Sequence, residues 1–116
     1  LALDEPAPAF VQLAERLPLR YTVLEGKAAG RVSGEGFAPR LAKHCVELAP
    51  DGPLEPMSDL KLNLAAVGDA LAGRDFYGKV VRASDGRGAP AVVRLTSVPP
   101  EVDAFLEALR RYAAAR

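Results

Sequence analysis

Polar and apolar residues alternate one for one over Asp59-Leu60-Lys61-Leu62-Asn63-Leu64, and again with unequal faces over Ala91-Val92-Val93-Arg94-Leu95-Thr96-Ser97. Successive side chains of a strand point to opposite sides, so a period of two predicts a sheet with one apolar face. Arg20-Tyr21-Thr22-Val23-Leu24-Glu25 is rich in strand formers and is closed by Gly26. A weaker strand is expected over Ala29 to Ser33, with Gly34, Gly36 and Pro39 marking a loop after it. A better strand follows from Leu41 to Leu48, with Ala42, His44, Val46 and Leu48 on one side, and a long one covers Phe76 to Ala83. Pro50-Asp51-Gly52-Pro53 reads as a turn, Gly68 to Gly73 as a crossover, and Ser84-Asp85-Gly86-Arg87-Gly88 as a hairpin loop.

Two segments change period. From Glu101 to Ala115 the apolar positions Val102, Phe105, Leu106, Leu109, Tyr112 and Ala113 recur at helical spacing. Pro99-Pro100 ends the strand before it and suits a helix's first turn, with Glu101 and Asp103 at the positive end and Arg110, Arg111 and Arg116 at the negative end. Ala9 to Arg16 predicts about two helical turns, with Phe10, Leu13 and Ala14 on one side, before Pro18 stops them. Residues 1–8 read as an irregular arm. The expected fold is mainly β: a small six-stranded antiparallel β-barrel over residues 19–116 with a C-terminal helix, preceded by a short N-terminal helix or arm over 1–18.

At 116 residues the chain is long enough for one self-supporting domain. Its 15 basic and 15 acidic residues cancel, so no global field draws in a nucleic acid polymer or an anionic membrane. The charges are segregated, however: Arg16 to Lys43 holds six basic residues against two acidic, and Glu47 to Asp75 six acidic against two basic. The single cysteine, Cys45, has no partner for an internal disulfide, which suits a reducing, cytoplasmic setting. No apolar run reaches the length of a membrane span, and a start at Leu1 suggests an excised piece of a longer protein.

The residues of common catalytic chemistry are scarce. His44 and Cys45, as neighbours on a strand, would face opposite ways and so could not form a nucleophile–base pair. One histidine and one cysteine are too few for a zinc site. Gly86-Arg87-Gly88 and Gly34-Glu35-Gly36 lack the lysine, the hydroxyl and the following helix of a phosphate loop. There is no Trp, and the seven Phe and Tyr residues are scattered, so no stacking platform for single strands stands out. The chain is not expected to be an enzyme.

One spacing does carry chemistry: Arg16-Leu17-Pro18-Leu19-Arg20 places two guanidinium forks four residues apart just ahead of a strand. Each fork can hold a phosphate with two parallel hydrogen bonds or stack on a base. This Arg-x-x-x-Arg lead-in, the six expected strands, and Val93-Arg94-Leu95-Thr96-Ser97-Val98-Pro99-Pro100-Glu101 leading into an acidic helix start together resemble the bacterial PilZ domain. The resemblance spans residues 16–115. It implies a barrel whose usual ligand is cyclic di-GMP, gripped by the two arginines and by a second motif, (Asp/Asn)-x-Ser-x-x-Gly, on a strand. Arg16 and Arg20 match the first motif. The second, laid on the strand that should hold it, falls on Arg40-Leu41-Ala42-Lys43-His44-Cys45 and differs at all three defining positions. The nearest literal match, Arg31-Val32-Ser33-Gly34-Glu35-Gly36, keeps Ser33 and Gly36 but has Arg31 in place of the acid or amide.

Hydrogen bonds to charged groups contribute about 1.5–3 kcal/mol each, so losing two or three weakens a nucleotide by ~10²-fold or more. Arg40 and Lys43 are candidates to meet phosphates in partial compensation. Three expectations follow. The first is a PilZ-like regulatory or interaction domain of a bacterial signalling protein, acting by contact with another protein or domain, with weak or no cyclic di-GMP binding. The second is a genuine cyclic di-GMP receptor using Arg16 and Arg20 with a non-standard second half-site. The third is an unrelated small β-barrel binding module.

Overall fold

Six strands close on themselves in the computed structural model, which describes residues 9–24, 33–50, 54–64, 67–83 and 90–115. The chain runs β1 (Val11–Leu24), β2 (Ser33–Ala42), β3 (Cys45–Pro50), β4 (Asp59–Asn63), α1 (Asp69–Ala72), β5 (Phe76–Arg82), β6 (Ala91–Ser97) and α2 (Pro100–Ala114). Around the barrel the order is β1-β2-β3-β6-β5-β4, with β4 pairing back onto β1 and every pairing antiparallel. Closure gives every strand a neighbour on each side, although Val11 to Leu19 of β1 pair with β2 alone.

Alternation selects what faces inward. Leu60, Leu62, Val80, Val93, Leu48 and Leu19 are almost fully buried and meet in the interior with Phe76, and each such side chain stabilises the fold by roughly 1.5–3 kcal/mol. Phe76 and Gly78 lie against Leu62 and Leu60 across the β4–β5 ladder, and Val80 against Val93 across β5–β6. Gly78 is required there, because a Cβ would stand 2.5 Å from Val93 Cγ1 and 2.9 Å from the Arg94 carbonyl oxygen.

The N-terminal region departs from the expectation. Residues expected to be helical over Ala9–Arg16 form the first half of the 14-residue β1, and Pro18 sits within that strand. Leu13 and Leu17, four apart, are both buried, which imitates a helical repeat. An interval of four keeps one face of a strand as well as of a helix, and here a bulge intervenes: Gln12 pairs with Arg40 and Leu17 with Ala38, so Leu13 to Arg16 oppose Pro39 alone and Glu15 is left exposed between the two leucines. Pro39 has no N–H to donate and occupies the break in both of its ladders, where proline is tolerated in a sheet.

The expected loop over Gly34, Gly36 and Pro39 is likewise part of β2, and the expected strand from Leu41 to Leu48 is folded in two. Lys43 and His44 form a tight turn between Ala42 and Cys45, and His44 takes a positive φ of 67°. His44 is therefore an exposed turn residue rather than a strand neighbour of Cys45, and only Val46 and Leu48 of the expected inward set enter the core. The arm over 1–8, most of the expected strand over 29–33, the turn over 51–53, the hairpin loop over 84–88 and Arg116 lie outside the described residues.

Helix α2 starts at Pro100, carries Glu101 and Asp103 in its first turn, and buries Val102 and Leu106 against the barrel. Tyr112, expected on that buried face, is instead 68% exposed, although Leu109 and Ala113 on either side of it pack against the core. Near its end Glu107 accepts hydrogen bonds from both Arg110 and Arg111. The Arg110 bond, and then Arg111, hold the Glu107 carboxyl below its ordinary pKa against a smaller opposing effect of burial. A lowered carboxyl pKa stabilises the folded chain at pH values above the unfolded glutamate's own pKa, and that stabilisation is lost as pH falls through the folded value. An NMR titration should place the Glu107 midpoint below the ordinary glutamate value, and Arg110→Ala should move it upward.

Candidate functional site

Strand geometry decides how the candidate arginines are presented. Arg20 lies opposite Glu35 in the β1–β2 ladder, between the inward Leu19 and Tyr21, so it faces outward. Arg16 belongs to the β1 bulge and is also exposed. The pair is thus fixed along one extended strand, not carried on a separate lead-in.

Each guanidinium already has company. The Arg16 guanidinium carbon stands 4.5 Å from the centroid of the Phe37 ring, a cation–π contact. Arg20 Nε lies 3.3 Å from Glu35 Oε1, with both side chains more than half exposed. Exposed pairs of this kind contribute about 0–1 kcal/mol, so an incoming phosphate has little to displace.

Arg40 is held differently. It donates from Nε to Glu47 Oε1 at 2.7 Å and from Nη2 to Glu47 Oε2, a two-pronged pair across β2 and β3, and its guanidinium lies 5.2 Å from the Phe10 ring centroid. Glu47 is 1% exposed although it faces away from the core, with Val92 opposite it on β6 and Arg82 Nη2 at 4.0 Å. The bond to Glu47 raises the Arg40 pKa further above its already high ordinary value, and the negative charge adds to this against a cost of burial. Removing Arg40 to serve a ligand would strand a buried carboxylate, which is costly.

Across the β1–β2 ladder Glu35 faces Arg20, and Ser33, Gly34 and Gly36 face its neighbours Thr22, Tyr21 and Leu19, whereas the stretch Arg40 to Cys45, where the second motif would fall, holds no acid, hydroxyl or glycine. Arg40, Leu41 and Ala42 end β2, Lys43 and His44 make the turn, and Cys45 opens β3. Leu41 is in the core, Ala42 and Cys45 are buried, and none of these side chains offers a carboxylate or hydroxyl. The acid next to this stretch, Glu47, is engaged by Arg40. The structure therefore brings Arg40 to a glutamate, Arg20 to another and Arg16 to a ring, and does not gather the three around one space.

Recesses open on the surface, and one of them takes in Arg16. A polar cleft of about 420 Å³ opens between the β2–β3 turn, the end of β6 and α2, with Lys43, His44, Ser97, Asp103 and Arg110 among its walls. An apolar groove of about 450 Å³ runs between the β1 bulge and α2, lined by Leu13, Pro18, Phe105, Leu109 and Tyr112. Among the described residues there is no cluster of three or more metal-ligating side chains, and no helix is long and apolar enough to cross a membrane.

Glu47, Phe37 and Arg82 were not singled out by the sequence. Period-two alternation does place Glu47 outward beside Val46 and Leu48, but its burial depends on which strands flank β3, and that pairing is not written locally. No protein-family model matches the chain, and no curated protein matches it in sequence. Fold and site together define a class: a closed six-stranded antiparallel β-barrel capped by one C-terminal helix, with an arginine-bearing outer face.

Proposed function

We propose that this chain is a PilZ-like regulatory or interaction domain of a bacterial, cytoplasmic signalling protein, working by contact with another protein or domain rather than by catalysis. Cyclic di-GMP binds it weakly or not at all. The observation that carries this reading is the state of the arginines: Arg16 rests on Phe37, Arg20 pairs with Glu35, Arg40 is committed to a buried Glu47, and the stretch Arg40 to Cys45, where the second motif would fall, offers no acid, hydroxyl or glycine. The closed barrel and the strand-to-helix junction at Ser97–Pro100 agree with the resemblance from which the reading starts.

A genuine receptor is the second reading, and one observation favours it. Arg16 and Arg20 share an exposed stretch of β1, and neither of their contacts is strong enough to resist a dinucleotide. A thermal-shift titration separates the two. The interaction-domain reading predicts no rise in Tm with cyclic di-GMP for the wild type. A clear rise that disappears in Arg16→Ala/Arg20→Ala would establish the receptor instead.

A further inference from the structure

The outer face of β5 and β6 carries an unresolved charge conflict. Lys79 and Arg94 are direct partners across the ladder, and since Gly78↔Leu95 and Val80↔Val93 on either side face inward, both cations face out. Like charges set directly opposite in an antiparallel pair destabilise it. Lys79 has Asp59 at 3.5 Å on its far side. Arg94 is exposed and has neither an ion pair nor a side-chain hydrogen bond among the described residues. Arg82, opposite Val92 on the same face, is 61% exposed, and its nearest carboxylate is Glu47 at 4.0 Å, already bound by two nitrogens of Arg40. Beside these cations the bulge residue Val81 is 45% exposed, and Met57, whose N–H bonds to the Val80 carbonyl oxygen at 2.7 Å, is 66% exposed.

A fold that sets an unpaired arginine opposite a lysine on a sheet, among exposed apolar side chains, gains from it somewhere other than in its own stability. We infer that the outer face of β5–β6, centred on Arg82 and Arg94, is the docking surface for an acidic segment of a partner protein that also carries apolar side chains. Charge complementarity selects the acid, and Val81 with Met57 selects a peptide over a bare polyanion. The balanced overall charge, 15 against 15, leaves no long-range field of the kind that nucleic acid or an anionic membrane exploits. The assignment rests on reading the domain as a protein-contact module and names the face and the partner chemistry.

The test uses the whole chain and a fluorescein-labelled oligo-glutamate peptide with interspersed leucines, followed by fluorescence anisotropy at low and high salt. The wild type should bind at low salt and release as salt rises. Arg82→Glu/Arg94→Glu should weaken binding at least about tenfold, while Arg20→Glu changes it less than about twofold. Arg94→Glu alone should also raise Tm by roughly 1–5 °C, because Lys79 then faces an opposite charge; a fall in Tm would contradict the conflict on which the inference rests. No peptide binding, or binding indifferent to the double reversal, would overturn it. So would tighter binding of phosphatidylglycerol vesicles or duplex DNA through the same two arginines. Calorimetry with cyclic di-GMP on both proteins scores the underlying reading separately: equal, tight nucleotide binding by wild type and double variant refutes the interaction-domain reading, whatever the peptide does.

Discussion

Gly36→Ala is expected to lower the stability of the barrel by about 3 kcal/mol, at the upper end of what overpacking costs. Gly36 lies between Leu19 of β1 and Pro50 of β3, where two ladders converge on β2. A Cβ there would stand 2.3 Å from the Ala49 carbonyl oxygen and 3.0 Å from the Pro50 Cα, both backbone atoms that cannot swing aside. In a domain of this size that corresponds to a fall in Tm of roughly 10–20 °C. Gly73→Ala provides the control: its φ of −88° suits any residue and nothing lies within 4 Å of the added carbon. Circular-dichroism melts should show Gly73→Ala unchanged or slightly stabilised and Gly36→Ala severely destabilised. Equal melts would mean that β2 and β3 do not approach as described.

Arg40→Ala is expected to cost about 3 kcal/mol at neutral pH, because it leaves the Glu47 carboxylate buried with only the more distant Arg82 beside it. Glu47→Ala should cost less, about 1–2 kcal/mol, since the freed Arg40 side chain is already 43% exposed and can turn to water. The order of the two is the informative result. If the pair acts as a unit, the double variant should cost less than the two single changes added together. Urea denaturation of the three variants measures it; a Glu47→Ala cost equal to or above that of Arg40→Ala would mean the carboxylate is not buried as described.

The elements with clean alternation were legible from the sequence. The strands at Asp59, Phe76 and Ala91 fall within a residue or so of their expected bounds, as does the helix behind Pro99-Pro100, and together they carry the barrel and its C-terminal cap. In these segments local period and final burial agree. Where they disagree, the sequence misleads for a physical reason. Leu13 and Leu17 share one side of β1 at an interval that strand and helix have in common, with Glu15 exposed between them at the bulge, and glycine and proline in β2 serve a close backbone approach and a break in the ladder, not a loop. The His44 turn is hidden because neither glycine nor asparagine stands at the position with positive φ.

The site was legible in part. Arg16, Arg20 and Arg40 were visible as guanidiniums with a spacing, but what each one touches depends on the β1–β2 and β2–β3 registers, which no stretch of ten residues encodes. The cationic face of β5–β6 shows the same limit from the other side. Lys79, Arg82 and Arg94 lie outside the basic run from Arg16 to Lys43, and only the ladder sets them together.

With Arg16, Arg20 and Arg40 turned to the protein's own ring and carboxylates, the arginine face is expected to hold cyclic di-GMP poorly. Isothermal titration calorimetry of the wild-type chain with cyclic di-GMP should then give no heat of binding beyond dilution, or a dissociation constant no tighter than about 100 μM, in keeping with two or three missing charge-assisted hydrogen bonds. Saturable submicromolar binding that Arg16→Ala/Arg20→Ala eliminates would contradict it.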